Sequence, residues 1–412
     1  MGFVQNLRAV PLNYKYSYLS TFPEFFLVLA VFTKELGSSR IMGIDFDWIG
    51  YPFFIFYFVL RLRDILLSNS FPWKLFLLLV GGTFISIFVL GIGWGGFLKQ
   101  IFSIIIIYSV NFFIISKYDW RILFKLYVKL AYFSAIFGII QWILSVNGIQ
   151  VLIKIPGRLD SISYEPSHYA SILVPALVYT FFYFKEYKRY FFVMLTALIL
   201  TFNLTGYLVF LIIISIAFVS PVYFIVSIPI LYFIVFNVFV DFNENFNKRI
   251  VDTIAVFKGE VEILNGSIAA NGTTVSLYSN LMVAFENIKN NLLTGAGLGG
   301  HEETYYRLYS KSSFRFNWHY GLNANSAHSL TIRILSEFGL LGFALYVITL
   351  IRNIFLLDKG MFRAISLACL SHFLCKTFKL AGYIDYGTPF FFAMLIINGI
   401  QYRYNKTLYG AK

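Results

Sequence analysis

One histidine of this sequence lies where a polar stretch gives way to an apolar one. His328 falls within residues 321–342, GLNANSAHSLTIRILSEFGLLG, and the spacing over 329–338 predicts a helix. Residues that often cap helices precede it: Asn323, Asn325 and Ser326. His328 is therefore expected in a first helical turn, where the macrodipole disfavours a charged imidazole and attracts an anion. A neutral imidazole there could act as a general base, or the residue could simply anchor a helix at a membrane surface.

A second polar group precedes the apolar run at 168–184. Pro166 follows Glu165 and is favoured at the first position of a helix, so His168 is expected in the first turn, where it can share a face with Glu165. Arg158 comes seven residues earlier. A guanidinium, a carboxylate and an imidazole are costly to hold beside lipid, which favours a functional site, although a ring of interfacial anchors would use the same residue types.

A third group combines cations with aromatic rings. Arg307, Lys311 and Arg315 follow one another at four-residue spacing, and tyrosines, phenylalanines and a tryptophan lie among them. Cations bind phosphate groups and aromatic faces stack on sugar rings. The segment is either a glycan-binding surface or a solvated amphipathic helix.

Two weaker candidates complete the set. The glycine-rich run 294–301 has the composition of a nucleotide loop, but it follows no βαβ unit, which argues against a nucleotide site. Asp45 and Asp47 could hold a metal or act as a base, but an interfacial acidic pair is the expected role.

The composition excludes a soluble globular protein. Of 412 residues, 58% are hydrophobic, 20% are aromatic and only 13% are charged, and the mean hydropathy is +0.73. So little polar surface could not cover a soluble domain of this size. The net charge of +13 then reports membrane topology and not nucleic-acid binding.

Apolar runs of about the 20 residues needed to cross a bilayer recur along the chain. The segment 190–220 is predicted to form two short helices broken at 203–206, because one long helix would spread Lys and Arg evenly over both sides of the membrane. The runs fall at 17–33, 48–62, 75–93, 97–116, 126–146, 168–184, 190–204, 206–220, 221–240, 339–357, 362–380 and 384–401.

The pattern predicts an all-α polytopic integral membrane protein of about 12 transmembrane helices. Residues 1–240 would contain helices 1–9, with a short outer loop at 147–167. Residues 241–325 would form a large outer loop between helices 9 and 10, and residues 326–412 would contain an outer-face helix and helices 10–12. Both termini are expected in the cytoplasm, and the polar groups described above would share the outer face.

Two motifs resemble those of a known family. His328 and Ser329, followed after nine residues by Gly339-x-x-Gly342, resemble the signature of the bacterial O-antigen ligase and O-antigen polymerase (Wzy) superfamily. An arginine before Glu-Pro-Ser at the start of an apolar helix, together with a large loop before the last three spans, resembles the polymerase branch.

This resemblance implies a GT-C-like fold in a bacterial inner membrane and inverting transfer of glycan from an undecaprenyl-diphosphate carrier on the periplasmic face. No metal or other cofactor is expected. Glycine-rich turns are common in this superfamily at the position of 294–301, and there they imply a shaped substrate cradle. His328 would be the base, with Glu165 as the second candidate. Arginines would bind the leaving diphosphate, with His168 and Asn325 beside them: first Arg158 and Arg315, then Arg307 and Arg333.

The resemblance also implies partners. A polymerase of this type would take lipid-linked repeat units as donor and acceptor, to make O-antigen or a capsule-like polysaccharide. It would work with a chain-length regulator (a polysaccharide co-polymerase) and the repeat-unit flippase, and with no nucleic acid. An O-antigen ligase or a protein O-oligosaccharyltransferase would share the donor and His328 and differ in acceptor. A flippase or transporter would need charged residues inside several helices and repeated halves, which the sequence hardly offers.

Overall fold

The fold is known from a computed structural model, in which every regular element of the described residues is a helix. The described residues are 21–36, 50–68, 71–90, 93–149, 151, 157–163, 165–218, 251–252, 254–256, 258, 271–358, 360–385 and 387–409. The predicted span 221–240, most of the first half of the predicted large loop, and the acidic pair Asp45 and Asp47 lie outside them.

The helices follow the predicted apolar runs over much of the chain. Up to residue 218 they are α1 (Thr21–Leu36), α2 (Gly50–Leu60), α3 (Leu62–Ser68), α4 (Trp73–Leu90), α5 (Trp94–Lys117), α6 (Trp120–Val146), α7 (Pro166–Phe182), α8 (Phe184–Leu200) and α9 (Leu204–Phe218). From residue 272 they are α10 (Gly272–Asn290), α11 (Gly300–Tyr309), a 3-10 helix (Ser313–Phe316), α12 (Leu330–Arg352), α13 (Met361–Phe378) and α14 (Thr388–Tyr409).

Three helices of the described part, α5, α6 and α12, are long and apolar enough to cross a membrane. Shorter apolar helical stretches lie at Phe22–Phe32, Phe76–Phe88 and Leu204–Phe218. These elements are those of a membrane protein. The number of spans and the large outer loop stay predictions.

The break predicted between residues 190 and 220 is present, but it lies slightly earlier than expected. α8 ends at Leu200 and α9 begins at Leu204. Phe202 has a positive φ of 46°, and the side chain of Asn203 accepts a hydrogen bond from the main chain of Gly206 at 2.8 Å. Asn203 therefore starts the second helix, which is why the break precedes the predicted 203–206.

α7 lies at the centre of the bundle, packed against α6, α8, α9 and α13. Its side chains are buried nearly all round, as an apolar helix with partners on every side should be. Glu165 is its N-cap and Pro166 occupies the first turn, so the start predicted from the Glu-Pro pair is confirmed.

α12 is divided by a kink at Gly339, as the sequence predicted. Gly339 has φ 60° and ψ −160°, a conformation that is essentially restricted to glycine. The helix resumes at once and continues to Arg352. A helix broken in this way leaves main-chain groups without partners inside the bundle, and these need other hydrogen bonds.

The glycine-rich run supplies those hydrogen bonds. Leu340 N and Leu341 N donate to the carbonyls of Leu292 and Leu293 at 2.9 and 3.1 Å. On the other side of the kink, Ala296 N and Gly297 N donate to the carbonyls of Ser336 and Glu337, both at 2.8 Å. The main chains approach so closely that a Cβ on Gly295 would lie 2.5 Å from Ser336 O. The run expected to form a substrate cradle therefore clamps the kink of α12.

We predict that Gly339→Ala strongly destabilises the fold. The new Cβ would lie 2.6 Å from the carbonyl carbon of Leu293, and the conformation alone should cost about 1–3 kcal/mol. Thermal unfolding of the detergent-solubilised protein measures the effect. Gly81→Ala in α4 is the control, because its Cβ meets nothing within 4 Å. Equal melting temperatures for the two variants would contradict this account of the kink.

Candidate active site

His328 lies just before α12 and not within its first turn. Ser329 is the N-cap, and its hydroxyl accepts a hydrogen bond from Ile332 N at 3.2 Å. Ala327 and His328 have φ values of 58° and 62°, which a right-handed helix cannot contain. The prediction that placed His328 in the first turn, after caps at 323–326, is therefore wrong by a few residues.

His328 is held by one hydrogen bond to its ring and one to its main chain. Its Nδ1 lies 3.0 Å from the hydroxyl of Ser276 in α10. Its carbonyl accepts a hydrogen bond from Leu380 N at 2.9 Å, and Ser329 pairs with Leu380 in an isolated parallel bridge. The residue is 4% exposed, so α10 and the connection between α13 and α14 fix its position together.

The imidazole of His328 is neutral at pH 7. Burial lowers its pKa from 6.5 to about 4, and the positive charge of Lys379 adds to that effect. Both act against the imidazolium, the first through desolvation and the second through like charge. The neutral state agrees with the prediction, but its causes are burial and a cation, because the residue precedes the helix whose dipole was expected to act.

Glu165, the second candidate base, contacts the connection between α13 and α14 that also bonds to His328. Lys379 Nζ lies 3.2 Å from Glu165 Oε2 and 3.0 Å from Ser167 Oγ. The charged side chains of this pair are each about one third exposed, at 33% and 32%. Lys379 and Leu380 are adjacent residues, so one dipeptide bonds to Glu165 through its side chain and to His328 through its main chain. The structure thus brings the two candidates to one place.

Lys379 is a residue of this site that the sequence did not reveal. The sequence showed it as one basic residue at the end of an apolar run, with no motif around it. It is far from both Glu165 and His328 along the chain, so only tertiary structure joins them. His168 lies in the first turn of α7 as predicted, and it is buried.

Arg158 binds main-chain carbonyls in this structure. Its Nε donates to Thr201 O and its Nη2 to Phe202 O, each at 3.0 Å. These carbonyls end α8, where cations are favoured by the helix dipole. The structural role of Arg158 is therefore to hold the turn between α8 and α9 against the entrance of α7.

Arg333, in α12, is the predicted arginine that contacts the connection between α13 and α14, to which His328 also bonds. Its guanidinium donates to Glu337 Oε2 and Ala381 O, both at 3.4 Å, and it stacks on Tyr383 with its carbon 4.4 Å from the ring centre. The hydroxyl of Tyr383 donates to the same carboxylate oxygen at 2.7 Å. This buried cluster secures the 379–383 stretch one helical turn beyond Ser329.

The remaining predicted contacts lie on the surface of the region before α12. Arg307 is exposed on α11, and the exposed Arg315 stacks on Phe316 at 4.3 Å. Asn325 is also exposed. The structure gives none of them a hydrogen bond or an ion pair with His328 or Glu165.

A buried hydrogen-bond network lies behind His328. His301 Nδ1 is 2.7 Å from Ser336 Oγ, and its Nε2 is 2.9 Å from Asn280 Oδ1. Asn287 Nδ2 donates to the same Ser336 hydroxyl at 2.7 Å. Asn280 Nδ2 in turn donates to the carbonyl of Ser276 at 2.7 Å, the residue whose hydroxyl binds the candidate base. Burial lowers the pKa of His301 to about 3, with Arg333 adding to the shift.

The sequence carries a signal for this network in α10. Ser276, Asn280 and Asn287 are spaced four and seven residues apart, which places them on one face of α10. A polar stripe on the buried face of an amphipathic helix indicates a hydrogen-bonded interior. The partners of this stripe on α11 and α12 depend on the main-chain hydrogen bonds that residues 292–297 make at the kink of α12.

An apolar groove runs beside α12 and is bounded by α4, α5, α13 and α14. It begins two residues after His328 and follows one face of α12 over about 28 Å, at 1.5 Å of rise per residue. Its α12 wall is formed by Leu330, Ile334, Phe338, Gly342, Leu345 and Thr349. A long hydrocarbon chain fits such a surface.

Within the described part of the chain, no cluster of three His, Cys, Asp or Glu side chains could hold a metal ion. The positive charge of Lys379 acts on His328, and Arg333 is paired with Glu337 in α12. Both lie on or against the stretch that follows α13.

The comparison with protein families agrees with this geometry. The family described as O-antigen ligase (Wzy_C) matches residues 162–347. The matched region runs from just before α7 through the kink of α12, so it includes Glu165, Ser276, His301, His328 and Gly339, and it ends before Lys379. No curated protein matches the sequence. Residues 162–347 therefore form a domain similar to the O-antigen ligase family, in a chain whose apolar helices are those of a membrane protein.

Proposed function

We propose that this protein is an O-antigen polymerase, which joins undecaprenyl-diphosphate-linked repeat units into O-antigen or a capsule-like polysaccharide. The observation that carries the proposal is the pairing of a buried, neutral His328 with the Glu165–Lys379 ion pair on one short connection. The Arg158 and Glu165-Pro166-Ser167 motif, which resembles the polymerase branch, favours polymerisation over ligation. In this proposal the protein lies in the bacterial inner membrane with the site facing the periplasm.

The proposed reaction is a single displacement with inversion. Nε2 of neutral His328 accepts the proton of the acceptor sugar hydroxyl as its oxygen attacks the anomeric carbon of the donor. The bond from that carbon to the diphosphate oxygen breaks, and the carrier diphosphate leaves with the electron pair. Glu165 is the weaker candidate for the base, because its carboxylate is already bonded to Lys379.

Cationic side chains would stabilise the leaving diphosphate, so no metal is required in this proposal. Lys379 ranks first because it is partly exposed and its charge acts on His328. Arg333 is close by, but it is buried in a pair with Glu337. Arg158 would act mainly by holding the entrance of α7. Arg307 and Arg315, with the aromatic rings near them, would contact the glycan, beside His168 and Asn325.

The carrier lipid would occupy the apolar groove along α12. Isoprenoid chains are apolar throughout, and burial of such surface is worth roughly 25 cal/mol per Å². The groove begins at Leu330, two residues after His328, so the end of the lipid that carries the diphosphate would lie near His328. The polar end would then meet Lys379.

The first test supplies purified protein with lipid-linked repeat units as both donor and acceptor, in buffer that contains a chelator. We expect long polymer from the wild type. His328→Ala should lower the rate by about 10²–10⁴, the usual contribution of a general base, and should leave binding of the lipid-linked unit intact.

Glu165→Gln is the matched variant at the other candidate. Normal polymer from His328→Ala, together with no polymer from Glu165→Gln, would assign the base to Glu165. Product that forms only after lipid A core or a protein acceptor is added would make the protein a ligase or an O-oligosaccharyltransferase. Activity that requires added magnesium or manganese would contradict the cationic stabilisation proposed here.

The second test uses pH. With the pKa of His328 near 4, the saturated rate should stay constant from pH 7 down to about 5 and fall only as the ring becomes protonated near pH 4. Lys379→Met removes a charge that lowers this pKa, so the acid limb should move to higher pH. Lys311→Met is the control, since this exposed lysine does not act on His328. An unmoved limb in Lys379→Met would contradict the assignment of His328 as base beside this cation.

The third test concerns topology. A cysteine at the exposed Ser310 should react with an impermeant reagent in intact spheroplasts, whereas one at the exposed Lys188 in α8 should react only after permeabilisation. The native Cys369 and Cys375 are buried and add little background. Labelling at Lys188 without permeabilisation would place the opposite face outward.

A further inference from the structure

The direction of each hydrogen bond in the buried network follows from two carbonyl groups. Asn280 Nδ2 lies 2.7 Å from Ser276 O and 3.2 Å from Leu322 O. Carbonyl oxygens only accept hydrogen bonds, so the amide group that faces them is the NH2 group. The Oδ1 atom of Asn280 is therefore turned toward His301.

The tautomer of His301 is then determined. Its Nε2 faces Asn280 Oδ1 at 2.9 Å, an atom that only accepts, so Nε2 carries the proton. The neutral ring accepts at Nδ1, and the hydroxyl of Ser336 donates to it at 2.7 Å. Asn287 donates to that hydroxyl in turn. His301 cannot add a proton without reversing this chain, so it orients Asn280 and does not take part in proton transfer.

The same reasoning applies to the hydroxyl of Ser276, which has four polar neighbours. The most distant is Asn280 Nδ2 at 3.5 Å, and it donates no hydrogen here because its two hydrogens are directed at the carbonyls of Ser276 and Leu322. Three contacts remain. Asn323 Nδ2 lies 2.8 Å away and only donates. Leu322 O lies 3.3 Å away and only accepts. The third partner is His328 Nδ1 at 3.0 Å. A hydroxyl donates once and accepts twice, so all three contacts are satisfied when Nδ1 of His328 carries the ring proton.

We propose that Ser276 is a positioning residue that holds His328 in the Nδ1–H tautomer and so keeps the Nε2 lone pair available for the acceptor hydroxyl. This rests on the proposed role of His328 as the base. Within the described residues, the ring makes no hydrogen bond other than the one to Ser276, so Nε2 is the nitrogen that substrate can reach. If Ser276 donated to Nδ1 instead, the proton would sit on Nε2 and the ring would present no base.

The groups that act on this ring come from each side of it. Ser276 and the Asn280–His301 pair lie behind it on α10 and α11, and Lys379 lies on the connection after α13. Lys379 disfavours a second proton on the ring but does not select between the two neutral tautomers. The serine hydroxyl makes that selection.

Nitrogen NMR of histidine-labelled protein in nanodiscs tests the tautomer directly. Couplings between ring protons and the two ring nitrogens distinguish Nδ1–H from Nε2–H, and His328→Ala identifies the signal. We expect Nδ1–H at His328 and Nε2–H at His301 in the wild type at pH 7. An Nε2–H tautomer at His328 would overturn the proposal, whatever the activity of any variant.

Kinetics test the consequence for the reaction. Ser276→Ala should lower kcat by about 10–100-fold, the range seen when the supporting partner of a functional histidine is removed, and should leave KM within about twofold because the serine does not touch substrate. Ser276→Thr keeps the hydroxyl and should recover most of kcat. The NMR signal of His328 should lose its Nδ1–H character in the alanine variant only.

Ser279→Ala is the matched control. Ser279 is equally buried on α10, but its hydroxyl bonds to the carbonyl of Ser276 and not to a histidine. An equal loss of kcat in Ser279→Ala, or an unchanged kcat in Ser276→Ala, would overturn the positioning role. A normal rate in His328→Ala with an Nδ1–H tautomer in the wild type would instead overturn the proposed base and leave the role of Ser276 in fixing the ring intact.

Discussion

The main-chain hydrogen bonds at the kink of α12 are the constraint on which the candidate site depends. Gly339 turns the helix and exposes main-chain groups on both sides of the turn, and residues 292–297 bind them. That contact fixes the start of α11 and sets His301 against Ser336. It also holds α10 close to α12, so that Ser276 reaches His328. The conformation of Gly339 therefore helps to fix the position of His328, whose ring is proposed to accept a proton.

His301 and His328 are both buried and neutral, but they differ in their hydrogen bonds. His301 is neutral because it is enclosed and has a partner on each nitrogen. His328 is neutral for the same physical reason and has a positive neighbour in addition, but one of its nitrogens has no partner among the described residues. Two buried histidines can thus both be neutral and still differ in chemistry. A neutral ring can act as a base only where one nitrogen lone pair is not already used in a hydrogen bond.

Local chemistry in the sequence predicted local structure well. The Glu-Pro pair started α7, Gly339 broke α12, and the doubtful segment after 190 formed two helices, because each outcome depends on a few adjacent residues. Contacts between residues that are far apart in the sequence could not be predicted in this way. Arg158 has the right charge for a diphosphate but bonds to carbonyls more than 40 residues away, and Lys379 carried no motif at all. Only packing decides which cations approach a given anion.

The ion pair between Lys379 and Glu165 bears on how the enzyme completes a cycle. Both side chains are about one third exposed, and pairs of this kind contribute at most about 1 kcal/mol. In the proposed reaction, an arriving diphosphate would therefore displace the carboxylate of Glu165 at little cost. After bond cleavage the carboxylate would return to the lysine and compete with the departing anion. Glu165 would then act as an internal counter-ion that favours product release, and Glu165→Gln would slow turnover by retaining the spent carrier even where the chemical step is normal.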